Sequence, residues 1–283
     1  MQNFDPIVTA YVLVVAGLLG LVMGSFINCW AWRSTHGESV LSGRSHCPAC
    51  GHELGARDLV PVLSWLLSGR KCRYCGEPVS ARYPATELVC AIVFMAIVYV
   101  YGLSLETVEL LAFAGVLLFL SLTDIDDFII PNACIVVALA IRAVYLAAAY
   151  FMGTLALPEI GYYLASGFGM GVALVIVVLA ADKVLGRESM GGGDLKLYAV
   201  AGFYFGWQQG LFLIIVSCIF GIVVALLTSG RAGAPAGEQP SGDQAGEEGF
   251  MRRPIPFGPS IAAACVITML VGNAFITWYA SFL

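Results

Sequence analysis

Four acidic residues stand where acids are costly to place. One apolar run ends in "LSLTDIDDFIIPN", carrying Asp124, Asp126 and Asp127, and another begins in "MGGGDLKLYAV", carrying Asp194. Carboxylates within or at the ends of membrane spans are functional candidates by default, because apolar surroundings penalise their charge. Two carboxylates held close together cannot both ionise readily. They share a proton, so one can activate a water while the other protonates or polarises a scissile carbonyl. That is aspartyl-endopeptidase chemistry. Gly191, Gly192 and Gly193 let the backbone approach closely and adopt angles other residues resist, bringing Asp194 to a tight helix entrance. Pro131 suits the start of the helix that follows the first acidic group. The competing reading is that acids at span ends cap helices or face water, and for Asp126 and Asp127 it is preferred. Spacing does not separate Asp124 from Asp127, since residues three apart share a helix face. Lys196 lies two positions after Asp194, about 200° around a helix, and is expected to point away from the site.

A second group of reactive side chains lies in "HCPACGHELGARDLVPVLSWLLSGRKCRYCGEP", where Cys47 and Cys50 form one C-x2-C pair and Cys72 and Cys75 another, with 21 residues between them. Four thiolates at this spacing can close a tetrahedral site, and Gly51 and Gly76 after the pairs ease the turn beneath a metal. The pattern points to zinc in a structural role, since four protein ligands leave no open position for a reacting water. Two disulfides are disfavoured in a reducing cytoplasmic loop, and a redox pair would leave its twin unexplained. His46 and His52 flank the first pair and could replace a cysteine. Cys29, Cys90, Cys134, Cys218 and Cys265 lie in or beside apolar runs and are expected to be small apolar packers.

The elements that must position these groups are membrane helices. The 283 residues are 59% hydrophobic and 12% charged, with a mean hydropathy of +0.87, more apolar surface than a soluble domain of this length can hide. A bilayer core of about 30 Å needs roughly 20 apolar residues per helix. Eight spans are read: Pro6 to Trp30, Tyr83 to Gly102, Thr107 to Thr123, Ile129 to Phe151, Ile160 to Ala181, Gly191 to Trp207, Leu211 to Thr228, and Pro259 to Phe282. Runs such as "GVALVIVVLAA" lack the alternation of a membrane β-barrel, so the fold class is an all-α polytopic membrane protein with a zinc-binding loop. The first span is not read as a cleavable signal, because its apolar run is too long and Asp5, with no Lys or Arg, precedes it.

Basic residues set the expected orientation. Seven lie between the first two spans (Arg33, Arg44, Arg57, Arg70, Lys71, Arg73, Arg82), three around the junction of the fifth and sixth (Lys183, Arg187, Lys196), and three between the seventh and eighth (Arg231, Arg252, Arg253). Thirteen of the fourteen thus fall on one side, read as cytoplasmic, with both termini outside. The exception, Arg142, lies inside the fourth span and is expected to snorkel or to pair within the bundle. Three parts are expected: residues 1–30 as the first span, 31–82 as a cytoplasmic zinc-binding loop domain, and 83–283 as a seven-helix core. A Gly-, Ala-, Pro- and Glu-rich stretch at 229–250 cannot build a core and is read as a mobile cytoplasmic loop. The net charge of -5, with no basic stripe, gives no reason to expect nucleic acid.

In order along the chain, "GSFINCW", the paired C-x-x-C loop with "SWL" inside it, "RYPATE", "TDIDDFIIPN", "MGGGDLKL" and "IPFGP" resemble the bacterial type IV prepilin peptidases, a family of GxGD membrane aspartyl proteases. The resemblance covers nearly the whole chain. In that family the first catalytic Asp sits eight positions before the Asp or Asn that follows a Pro, here Asn132, which selects Asp124; the second is the Asp of GxGD, here Asp194. The family cleaves the short basic leader of pilins and pseudopilins, after a Gly and before an apolar helix, at the bacterial inner membrane. Members with the cysteine loop usually also methylate the new N-terminal amine using S-adenosylmethionine, so both activities are expected, with zinc on Cys47, Cys50, Cys72 and Cys75. No glycine-rich nucleotide-binding fingerprint is present, and no residue is assigned to S-adenosylmethionine. Two rivals differ in class. An ion- or proton-coupled transporter would line a path across the bilayer with acids, whereas these cluster on one side; a zinc-dependent assembly factor would leave the acids without purpose.

Overall fold

The computed structural model describes residues 5–39, 43–229 and 256–282. The loop expected at 229–250 lies, beyond Ser229, outside the described residues, as do Arg231, Arg252 and Arg253. Among the described residues eight α-helices follow one another: α1 (Pro6–Thr35), α2 (Leu63–Leu67), α3 (Arg82–Tyr101), α4 (Leu105–Asp127), α5 (Asn132–Phe151), α6 (Leu157–Leu185), α7 (Gly192–Ser229) and α8 (Gly258–Ala280). All but the short α2 are long and apolar enough to cross a bilayer, so the chain is a multi-pass membrane protein. Among the described residues strand pairing is limited to two isolated bridges, His46 with Glu53 and Lys71 with Pro78.

Local chemistry explains the helix ends. Asp5 accepts the Ile7 N–H at 2.8 Å, and Pro6 occupies the first turn, where its missing N–H costs nothing. Ser104 caps α4 through the Thr107 N–H at 3.1 Å. The fourth span begins at Asn132, three residues later than Ile129, because Phe128 turns the chain in the left-handed region with φ 55 and Pro131 holds an extended ψ of 132 before α5.

The sixth and seventh expected spans form the single run α7, which is folded in two at Gly206, where φ is 73 and ψ is -178. Tyr198 and Ser217 would be about 28 Å apart on a straight helix, yet their hydroxyls are hydrogen-bonded at 2.5 Å. The arms 192–205 and 207–229 therefore run back along each other, and the eight expected spans are present as arms. Only glycine fits the corner: φ is in the left-handed region, and a Cβ would lie 2.5 Å from the Tyr162 ring.

Helix α1 packs along α3 and α4, while α6 and α8 flank α7. Phe113, Leu117, Leu120, Leu197, Tyr198, Leu213, Ile261 and Cys265 form the buried centre. Leu18, Val22, Val172, Val177, Leu179 and Ile222 point outward and exposed, as lipid-facing side chains do. Of the expected cysteine packers, Cys90, Cys134 and Cys265 are buried, but Cys218 is exposed and Cys29 is half-buried with its sulfur 3.8 Å from the Ser45 hydroxyl. Close helix approach rests on small residues: a Cβ on Gly20 would lie 2.6 Å from the Ala91 Cα, and one on Gly24 2.9 Å from the Glu87 Cα. Gly20→Val is therefore expected to lower thermal stability in detergent by roughly 1–3 kcal/mol. Gly17→Ala, whose methyl meets only the flexible Met95 side chain at 3.0 Å, should cost less. Equal losses would show that α1 is held on α3 by something other than backbone approach.

Candidate active site and metal centre

Asp124 lies in the last turn of α4 and is 6% exposed. Its Oδ2 accepts the N–H of Gly258, the first residue of α8, at 2.8 Å. The glycine is required there, since a Cβ would stand 2.8 Å from Oδ2 and 3.1 Å from Cγ of the same carboxylate. Thus "IPFGP" meets "TDIDDFIIPN" through one hydrogen bond and one absent side chain. Asp194 is the third residue of α7 and half-buried. The preceding glycines do not take the left-handed conformation that their run allows. Gly193 instead admits Ile130, whose Cβ would lie 3.0 Å from an added methyl, so the turn after α4 seats against the turn before α7. Lys196 points away from Asp194 and donates to Asn132 Oδ1 at 2.8 Å, tying the starts of α5 and α7.

The other acids of the first group behave differently. Asp126 is held in a two-point ion pair by Arg82 of "RYPATE", with Nη1–Oδ1 at 2.5 Å and Nη2–Oδ2 at 2.8 Å, while Asp127 is exposed. Two further carboxylates, absent from the sequence-based candidates, are buried within spans. Glu87 on α3 accepts the Val62 N–H at 2.7 Å, docking the cysteine loop onto the bundle at a valine with φ 61, a region β-branched residues seldom enter. Glu109 on α4 pairs with Arg142 at 3.0 and 3.1 Å, so Arg142 pairs within the bundle rather than snorkelling. The signal for both acids was available, because any carboxylate inside an apolar run is a candidate.

The four loop cysteines come together. Cys47, Cys50, Cys72 and Cys75 have their sulfurs all within 4.8 Å of one another, and Cys47 and Cys75 are 3.9 Å apart. Zinc–sulfur bonds of about 2.3 Å in a tetrahedron put sulfurs about 3.8 Å apart, so the donor set fits zinc. Two mirrored turns build it. In each, the first cysteine's N–H reaches the carbonyl five residues on (Cys47 to His52 at 3.0 Å, Cys72 to Glu77 at 2.8 Å), and a glycine with φ 70 or 79 closes the turn. Backbone N–H groups of Cys75 and Tyr74 hold the Cys72 thiol down at about 7. For Cys75 the Glu77 N–H also favours the thiolate, but desolvation and the crowding thiols push it up to about 12; a cation among the sulfurs would relieve that conflict. His46 and His52 stand outside the cluster, His46 beside Glu38 at 3.6 Å and His52 on the Tyr74 ring at 3.6 Å.

The chain is thus a multi-pass helical bundle with a buried carboxylate, Asp124, at the end of α4 and a four-cysteine loop docked on α3 through Glu87. Residues 18–101 match the Bacterial Peptidase A24 N-terminal domain and residues 111–226 match the Type IV leader peptidase family. The chain is 32% identical to a Prepilin leader peptidase/N-methyltransferase of Bacillus subtilis (strain 168), over 94% of this chain and 97% of the relative. It is 33% identical to one of Myxococcus xanthus (strain DK1622), over 86% and 70%, and 30% identical to one of Pseudomonas putida, over 96% and 95%. No solved structure gives a significant match. The protein belongs to the type IV leader peptidase family.

Two outcomes test these sites. Gly258→Ala should crowd Asp124 and lower the turnover of the enzyme by roughly 10- to 100-fold with the protein still folded; an unchanged rate would mean that the Gly258–Asp124 contact does not govern the carboxylate. Purified protein should carry one zinc that a strong chelator removes, and Cys72→Ser should lose it. Unaltered metal content in Cys72→Ser would remove Cys72 from the ligand set.

Proposed function

We propose that this protein is an aspartyl endopeptidase of the bacterial inner membrane that removes the leader from prepilins or secretion pseudopilins and N-methylates the residue so exposed. The observation that carries the reading is the buried Asp124 carboxylate, held by Gly258 at 2.8 Å beside the turn that leads to Asp194, in a chain 32% identical to a prepilin leader peptidase/N-methyltransferase. In this reading a water between Asp124 and Asp194 attacks the scissile carbonyl. One carboxylate takes the water's proton while the other, which enters protonated, gives its proton to the carbonyl oxygen; as the C–N bond breaks, the first passes its proton to the leaving amine and the second recovers one from the tetrahedral intermediate's hydroxyl. S-adenosylmethionine supplies a methyl group to that amine. Zinc on Cys47, Cys50, Cys72 and Cys75 holds the loop of residues 31–82, and residues 83–283 form the peptidase core.

The sidedness of the basic residues supports a cytoplasmic loop, cytoplasmic aspartates and both termini outside. Eight crossings return the chain to its starting side. In this reading Asp194, at the start of the first arm of α7, lies at the cytoplasmic edge of the layer. A substrate with its leader in the cytosol and its apolar helix in the bilayer would present its scissile bond at that depth.

Asp124→Asn and Asp194→Asn are each expected to slow leader removal roughly 10²- to 10⁴-fold while leaving zinc content and methylation of an already cleaved substrate intact. Mass spectrometry of a co-expressed prepilin reads both steps, as loss of the leader and as gain of one methyl group. Wild-type cleavage by either folded variant would sink the mechanism.

A further inference from the structure

The break at Gly206 leaves a problem that α7 does not solve by itself. In an unbroken helix the Trp207 N–H would bond the Phe203 carbonyl, one turn back. Here Trp207 donates instead to the Tyr162 hydroxyl at 3.2 Å, and the last carbonyls of the first arm need other donors. Arg142 supplies donors for two of them. Its Nε bonds the Phe203 carbonyl at 2.9 Å and its Nη2 the Tyr204 carbonyl at 3.3 Å. Its Nη1 contacts both Glu109 oxygens, at 3.0 and 3.1 Å. Arg142 and Glu109 are 6% and 4% exposed, and the rings of Tyr163, Tyr145 and Tyr204 surround the guanidinium at 4.4, 5.2 and 5.3 Å.

The two groups that Arg142 joins lie on the two helices that carry the aspartates. Glu109 is on α4, about 22 Å along the helix from Asp124, and Phe203 and Tyr204 end the arm that begins beside Asp194, about 14 Å away. Phe113 of α4 stacks on Tyr204 with ring centroids 3.8 Å apart, which fixes the rotation of the two helices at the same level. The Tyr204 hydroxyl donates to the Ala138 carbonyl of α5 at 2.7 Å.

We infer that the Glu109–Arg142 clamp is a positioning element of the peptidase: from the far end of the bundle it sets the spacing and rotation of the helices that present Asp124 and Asp194. The inference rests on the catalytic reading of those two residues. A planar fork is needed because one side chain must meet a carboxylate and two carbonyls at once, which a lysine ammonium on a flexible stem does not do. Since the clamp touches neither carboxylate, its loss is expected to act through how the two carboxylates face each other.

Arg142→Lys keeps the charge and the partner but loses the fork. In full-length purified enzyme acting on a prepilin, it is expected to lower kcat about tenfold with KM changed by less than about twofold. The pH profile of kcat should also shift, because the spacing of two carboxylates sets how strongly one charge opposes the other. Methylation of an already cleaved substrate should hold at the wild-type rate. The neutral pair Glu109→Gln/Arg142→Gln, which leaves no unpaired buried charge to unfold the bundle, is expected to show the same loss of kcat. The swap Glu109→Arg/Arg142→Glu restores an ion pair but turns acceptors toward the two carbonyls, so it should not rescue. Wild-type kcat and pH profile in either folded variant, or full rescue by the swap, would overturn the inference and reduce the clamp to a structural staple. Wild-type cleavage by Asp194→Asn would instead overturn the catalytic reading, whatever the clamp variants do.

Discussion

Inside a hydrocarbon layer a charge or an unpaired peptide group has no water to turn to, and each one left alone costs several kcal/mol. The bundle is arranged around that constraint. Wherever a span breaks or an acid is buried, a named partner is present: Gly258 for Asp124, Val62 for Glu87, Arg142 for Glu109 and for the carbonyls freed at Gly206, and Tyr162 for the Trp207 N–H. Asp194, half-buried at the start of α7, is the remaining acid of the two sequence-derived neighbourhoods.

The same constraint joins the two halves of the chain. Asn28 of "GSFINCW" reaches the Thr86 hydroxyl and the Tyr83 carbonyl of "RYPATE", while Gly24 lets α1 lie against Glu87. Glu87 in turn holds the cysteine loop, and Arg82 holds Asp126 at the end of α4. Each short motif of the N-terminal half is therefore a contact surface for the next, and the series ends two residues from Asp124. The cysteine loop and the acids of α4 share a wall of helices α1, α3 and α4, with Ala31 and Leu122 packed together in it.

Much of this was legible before any coordinates. Apolar runs about 20 residues long can only be membrane helices, and C-x2-C spacing repeated over a loop can only bring four sulfurs together by one kind of turn, which Gly51 and Gly76 supply. Less legible were features that need a partner from a distant part of the chain. The glycines before Asp194 were read for close approach and for unusual angles; Gly193 serves the first, and what approaches it is Ile130, 63 positions away. Arg142 was left between snorkelling and pairing because its partner, Glu109, lies 33 positions away. Asp126 and Asp124 lie two residues apart, yet Arg82 faces the first and the Gly258 N–H the second.

By itself the sequence determined the class of the fold, the number of spans, the cysteine set and the two acidic neighbourhoods, because periodicity, hydropathy and spacing are local properties that each segment carries alone. Only the tertiary structure decided which carboxylate is buried against α8, where α7 folds on itself, and which basic side chain caps the broken helix. Those outcomes depend on hydrogen bonds and close contacts between residues tens to more than a hundred positions apart, such as Gly258 with Asp124 across 134 positions, and no local pattern encodes them.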